Sequence, residues 1–161
     1  YLPGREFTTG IVGTGARARV LGTIEVHLLD TAEPGVYSYV NKEECESRVL
    51  YALRRAEDDP VVAEAEKVAL AAWRALGCRD AGRLDLRCDE KGHPLFIEVN
   101  PLAGIHPEHS DLPIICSQIG MPYQALIESI MISARRRITS QQSKEVWRQV
   151  IDYRRSAAGA M

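Results

Sequence analysis

This 161-residue chain has no surplus of charge of either sign: 20 Lys and Arg stand against 22 Asp and Glu, a formal net charge of −2. A basic face for nucleic acid therefore has no support in the composition, and none is expected as a partner. Basic residues are interspersed with acids except at Arg135-Arg136-Arg137, where a helix end favoured by the macrodipole accounts for them. The four cysteines, Cys45, Cys78, Cys88 and Cys116, show no C-x-x-C spacing and no His at metal-ligand intervals. That excludes a zinc or redox motif and leaves free thiols in a reducing cytoplasm as the expectation. There is no apolar run of membrane-spanning length, signal peptide, lipidation motif, repeat or low-complexity tract, so no membrane association is expected. An initiator Met is also missing. The chain opens at Tyr1 on what already reads as a strand approach, and it is expected to be a fragment of a longer protein. Its length suits one domain with a real core.

What is present is well punctuated. Residues 5–12 and 17–26 are rich in β-branched side chains and flank Gly13-Thr14-Gly15, which reads as a β-hairpin. Residues 27–44 look irregular, with a turn at Pro34-Gly35 ahead of Tyr37 and Tyr39, and residues 45–55 fit strand or helix equally. The clearest helix runs from Pro60 to Leu76. Asp59 can cap it, Pro60 suits its first position and Gly77 its stop, and Val61, Ala65, Val68, Leu70, Ala72, Trp73 and Leu76 follow the 3.6 period. A short helix over 112–119 ends at Gly120, a second clear helix spans Pro122 to about Ile138, and Val146, Trp147, Val150 and Ile151 suit an amphipathic tail helix.

Chemistry concentrates in Arg83-Leu84-Asp85-Leu86-Arg87 and Phe96-Ile97-Glu98-Val99-Asn100, two period-2 runs joined by Asp89-Glu90-Lys91-Gly92-His93-Pro94. Side chains two apart on a strand share a face. A turn centred between Lys91 and Gly92 sets Asp85 opposite Glu98 and Arg83 opposite Asn100. Facing carboxylates repel, and no Lys or Arg lies opposite either one in this register. A positive group is therefore expected between them, and a hard divalent cation held by one or two carboxylates plus phosphate oxygens satisfies that need. The plain alternative is two surface strands with solvated polar faces.

The landmarks also occur in a familiar order: Gly4-Arg5-Glu6-Phe7-Thr8, Tyr37-Ser38-Tyr39-Val40-Asn41-Lys42, Leu76-Gly77-Cys78, Gly82-Arg83-Leu84-Asp85, Glu98-Val99-Asn100 and Gly104. Over about residues 1–135 the chain resembles the C-terminal half of an ATP-grasp carboxylate–amine ligase of the D-alanine–D-alanine ligase family. The resemblance implies an α+β fold, the ATP-grasp C-terminal subdomain, with a mainly antiparallel sheet flanked by helices over residues 1–138 and a helical tail over 139–161. It implies ATP with Mg²⁺ (or Mn²⁺) as cofactors, small-molecule amino-acid substrates and a cytoplasmic enzyme, and it admits a homodimer of the full-length protein. Asp85, Glu98 and Asn100 would hold the metal that bridges the ATP phosphates. Arg83 would meet the transferring phosphate or the tetrahedral intermediate, a task that suits a permanently charged planar donor. Glu6 would bind the ribose hydroxyls, Leu2 would edge the adenine site, and Lys42 would sit on the loop that closes over the γ-phosphate. In the substrate loop, the Gly104 N–H would help form the oxyanion site and Ser110 would contact the incoming amino acid's carboxylate.

The resemblance is not complete. Glu43 stands where the family often carries an aromatic, and the loop after Asn100 is one residue longer. His106, Glu108 and Asp111 replace residues that are usually small or apolar. The amino acids joined are therefore open, since buried polar groups demand partners on the substrate. The N-terminal lobe and central lysines of such ligases are not in this sequence, so the expected activity is an ADP-forming ligation by the whole protein, with the fragment alone inactive. Alternatives are an ATP-grasp ligase of other specificity or a non-catalytic nucleotide- or metal-binding domain.

Overall fold

Five antiparallel strands form one sheet: β1 (Glu6–Val12), β2 (Arg19–Leu28), β3 (Val49–Arg54), β4 (Ala81–Cys88) and β5 (Pro94–Asn100), in spatial order β3-β2-β1-β4-β5. Among the described residues three α-helices pack with it: α1 (Pro60–Ala75), α2 (Asp111–Gln118) and α3 (Tyr123–Arg137). The computed structural model describes residues 1–28 and 49–137, together with residues 145, 148 and 149. The expectations placed on residues 29–48, including Lys42 and Cys45, and on the apolar positions of the tail lie outside the described residues. Within them, the open choice at residues 45–55 resolves to strand from Val49 onward.

Helix α1 forms where its punctuation says it should. The Asp59 carboxylate accepts from the Val61 and Val62 N–H groups at 3.0 and 3.4 Å, satisfying two of the helix's orphan donors. At the other end Gly77 adopts φ +67°, and Cys78 N–H and Gly77 N–H return to the carbonyls of Trp73 and Arg74, the Schellman arrangement. The buried stripe is Val62, Ala65, Ala69 and Trp73. It is offset from the Val61, Val68 and Leu70 that periodicity singles out, which pack at its margin, and Leu76 is exposed. The stripe lies on Phe7, Ile11, Leu84, Leu86 and Cys88, the alternate residues of β1 and β4. The Trp73 indole N–H donates to the Gly13 carbonyl at 3.0 Å, so even the largest buried side chain of this layer has its polar atom satisfied.

Among the described residues, α2 and α3 cover part of the other sheet face. Val12, Leu21 and Ile24 pack there with Leu112, Ile115, Cys116 and Leu126. Gly10 and Gly22 are cross-strand partners beneath α2. A Cβ on Gly10 would lie 3.0 Å from Leu112 Cδ1, and one on Gly22 would lie 3.1 Å from Ile115 Cγ2. Two side chains reduced to hydrogen let the helix settle directly on the backbone. Cys78, Cys88 and Cys116 are buried free thiols, each pushed above the ordinary thiol value by burial.

Arg5 ties the sheet to the start of α1. Its guanidinium binds Glu25 on β2 through two bonds of 2.7 and 2.9 Å and the cap residue Asp59 at 2.7 Å. Arg54 on β3 adds a 2.6 Å bond to Glu25. The Arg5 guanidinium holds both carboxyls below their ordinary values of 4.5 and 3.8. A carboxylate depressed in the folded state contributes stability above its unfolded value, and that contribution is lost as pH falls through the folded one. Because Arg5 is 36% exposed, replacing it with Met should cost only about 1–2 kcal/mol at pH 7. Thermal melts of the two proteins should converge below about pH 4, so a melting difference that persists unchanged at pH 3 would contradict this ion-pair account.

Candidate functional site

The site lies on the sheet face that α2 and α3 leave partly open. β1 and β4 pair so that Glu6 faces Arg87, Thr8 faces Asp85 and Gly10 faces Arg83. β4 and β5 pair so that Asp85 faces Glu98 and Arg83 faces Asn100. Three strands thus present two adjoining polar rows, Thr8–Asp85–Glu98 and Gly10–Arg83–Asn100. The predicted pairing holds at both carboxylates and at Asn100. Nearer the turn it does not, for Leu86 pairs with Phe96 and Cys88 with Pro94 across an irregularity after Asp85. One extra residue on β5, Ile97, absorbs the difference as a β-bulge. Phe96 therefore belongs with Leu86 on the α1 side, although simple alternation would set it beside Glu98.

Local bonds hold this floor in shape. Thr8, almost wholly buried, donates from Oγ1 to Asp85 Oδ1 at 2.9 Å, so one Asp85 oxygen is fixed. Arg83 Nη2 stands 3.8 Å from Asp85 Oδ2, and Arg83 Nη1 is in close ion-pair contact with Asp111 Oδ2 on the first turn of α2. A positive group does neighbour Asp85, then, but it comes from its own strand rather than from across the sheet. Arg83 Nε is buried and finds no hydrogen-bond acceptor among the described residues. One step along the ladder, Arg87 Nη1 donates to Glu6 Oε2 at 3.1 Å.

A cavity of about 170 Å³ opens beside Arg83 and Asn100, closed by Gly104, Ser110, Asp111 and Tyr51. Its wall is a compact loop. The His106 N–H donates to Ser110 Oγ at 3.0 Å, the Ser110 N–H returns to the His106 carbonyl at 3.2 Å, and the His106 and His109 rings stack 4.7 Å apart. The Tyr123 hydroxyl on α3 donates to the Ile105 carbonyl at 2.8 Å, tethering the loop to the helical layer. Of the residues singled out by sequence, Arg83, Asp85, Glu98, Asn100, Gly104 and Ser110 come together here. Glu6 lies on the same face further along, Leu2 lies ahead of β1, and Lys42 is outside the described residues.

Three contributors escaped the sequence reading. Thr8 was available from the alternation Glu6, Thr8, Gly10. Tyr51 had no signal, because its segment read equally as helix. Asp111 stood out only as an odd acid in a loop, and nothing local announced its partner 28 positions earlier. Among the described residues no three His, Cys, Asp or Glu side chains are grouped to hold a metal by themselves.

The profile described as "D-ala D-ala ligase C-terminus" matches residues 1–132. The chain belongs to the D-alanine–D-alanine ligase family. Among its relatives, the D-alanine–D-alanine ligase of Bordetella petrii is 35% identical over 140 residues, covering 87% of this chain and 41% of that protein. That of Bordetella avium is 36% identical over 136 residues, covering 83% and 40%. The chain thus spans about two fifths of the relatives' length. Solved structures agree on the fold of this ligase part: the Bacillus anthracis D-alanine–D-alanine ligase complexed with ATP superposes with TM-score 0.61 at 22% identity, over 84% of this chain and 40% of that one. The Coxiella burnetii enzyme gives 0.62 at 17% identity, over 93% and 36%. The expected antiparallel sheet flanked by helices is the fold observed.

Gly104 is held to a hydrogen side chain by its neighbour: a Cβ there would lie 2.6 Å from Ser110 Oγ. Gly104→Ala should push Ser110 aside, cost about 1–2 kcal/mol, and speed hydrogen exchange of the His106 amide. Unchanged exchange at His106 would contradict the packing described.

Proposed function

We propose that this chain is the nucleotide- and metal-binding part of an ATP-dependent carboxylate–amine ligase. The observation that carries the reading is the pairing of Asp85 with Glu98 one row from Arg83 and Asn100, on the sheet face opposite α1. Directly opposed strand residues have Cβ atoms about 5 Å apart, so the two carboxylates and the Asn100 amide can converge on one small cation. The donor set fits Mg²⁺, since all its atoms are oxygens, and two carboxylates with an amide leave positions for phosphate. When bound, Mg²⁺ would neutralise phosphate charge during transfer.

The chain's own residues would do the rest. Thr8 fixes the Asp85 carboxylate, and Arg83 offers a planar permanent cation beside the reacting groups. The reaction class has two displacements. A substrate carboxylate oxygen attacks the γ-phosphorus and ADP leaves. An amine nitrogen then attacks the acyl carbon, phosphate leaves, and the amine gives up a proton to form the amide. Gly104 and Ser110 border the cavity in which that second step would occur. Glu6 would meet the ribose and Lys42 the γ-phosphate. Positioning and charge neutralisation supply most of the rate in such chemistry. We assign the activity to the whole protein and the cytoplasm, where the three buried thiols would stay reduced.

The test is amine-dependent ADP formation by the full-length protein. Glu98→Gln and Arg83→Met should each lower kcat/KM on the order of 100-fold or more; thermal melts should stay near wild type in Glu98→Gln, whereas Arg83→Met should melt earlier because it leaves the Asp111 carboxylate buried without its partner. Full activity in Glu98→Gln would refute the metal role. Tight Mg·ATP binding with no ADP release for any amine would favour a non-catalytic binding domain.

A further inference from the structure

We infer that a second cavity, where the β1–β2 turn meets the end of α3, is a binding site for a small phosphate-bearing anion. It lies at Val12, beyond the Gly10–Arg83 pair, and the inference does not depend on the ligase reading.

The cavity, of about 230 Å³, is lined by four arginines: Arg17 and Arg19 from the hairpin, and Arg136 and Arg137 from the last turn of α3. Among the described residues no Asp or Glu lines it. Asp80 engages Arg137, whereas no carboxylate among the described residues pairs with Arg17, Arg19 or Arg136. Three such guanidiniums round one space carry a like-charge cost that a bound anion removes.

A second feature is independent of that charge. Thr14 Oγ1 accepts the Asp80 N–H at 3.1 Å and stands 3.1 Å from Ser133 Oγ. The pair owns two hydroxyl hydrogens, and the bond between them uses one. Whichever residue donates, the other's hydrogen has no acceptor among the described residues. Both residues line the cavity, and Ser133 is only 8% exposed. A buried hydroxyl in this state calls for an acceptor. The walls are also set in advance, which lowers the cost of binding. Asp80, at φ +67°, donates to Thr14, accepts the Gly13 N–H at 2.6 Å through its carbonyl and holds Arg137 through its carboxylate.

Phosphate suits this arrangement better than a carboxylate does. A carboxylate presents two oxygens in one plane, whereas phosphate presents tetrahedral oxygens that guanidinium forks from the hairpin and the helix can meet together. The plain alternative is a set of solvated arginines, with Arg135, Arg136 and Arg137 favoured by the helix dipole. That account predicts only a diffuse attraction shared by every exposed basic side chain.

The experiment titrates the full-length protein with inorganic phosphate and with glycerol phosphate, at fixed ionic strength and without divalent cations. Succinate serves as a carboxylate of similar charge. Binding is read from the backbone amide resonances of Thr14 and Ser133, with Gly104 and Ser110 reporting the cavity beside Arg83. At least one phosphate compound should shift Thr14 and Ser133 saturably, roughly ten-fold or more tightly than succinate. The tighter of the two identifies free phosphate or a phosphate ester as the ligand. Arg17→Gln and Arg136→Gln should each weaken that binding roughly ten-fold and leave the Gly104 and Ser110 response unchanged. Both side chains are exposed and unpaired among the described residues, so the fold should survive either change. Arg135→Gln removes the same charge one position away, outside the cavity lining, and should leave binding unaltered. Shifts that never saturate, succinate binding as tightly as both phosphate compounds, or equal weakening by Arg135→Gln overturns the inference.

Discussion

The register of β4 between its two neighbours is the constraint on which everything at the site depends. Leu84 and Leu86 are fully buried against α1, whereas Arg83 and Asp85 face the open side. Side chains alternate strictly along a strand, so a slip of one residue would send both leucines to the polar face and both charges into the core. Burying an unpaired charge costs several kcal/mol, and exposing each leucine forfeits about 1.5–3 kcal/mol more. The dry face therefore fixes the wet one. The β5 bulge completes the arrangement by letting Val99 pack on the α1 side while Glu98 and Asn100 stay opposite Asp85 and Arg83.

A second contact couples this floor to the cavity beside Arg83. The Gly10–Gly22 pair admits α2 to the sheet surface. Gly10 is also the cross-strand partner of Arg83. The helix start, with Ser110 and Asp111, consequently arrives where the guanidinium stands. Arg83 bridges two chemically different regions, an acidic oxygen-rich row at Asp85 and Glu98 and a compact loop-and-helix wall at Gly104, Ser110 and Asp111. Arg83 neighbours carboxylates in both regions, Asp85 on the floor and Asp111 in the wall.

Much of this was legible in the sequence, and the exceptions have physical causes. The α1 boundaries were readable because capping is local chemistry, written in Asp59, Pro60 and Gly77. The pairing of Asp85 with Glu98 was readable because two short alternating runs flank one turn. The bulge was not, since Phe96-Ile97-Glu98 alternates acceptably either way and Phe96 and Ile97 are both exposed, so no buried position marks the break. β3 was ambiguous because its residues suit both periods until β2 pairs with it. The Asp111–Arg83 contact depends on how α2 docks, which no local pattern encodes. Local rules thus reached the strand-borne half of the site, and tertiary docking decided the loop-and-helix half.

The most direct measurement is a crystal structure of the full-length protein with Mn²⁺ and a non-hydrolysable ATP analogue, using Mn anomalous scattering. The account predicts anomalous density within about 2.2 Å of oxygens of Asp85, Glu98 and Asn100, bridging to the phosphates beside Arg83. Bound nucleotide with its metal elsewhere, and those three side chains uncoordinated, would contradict it.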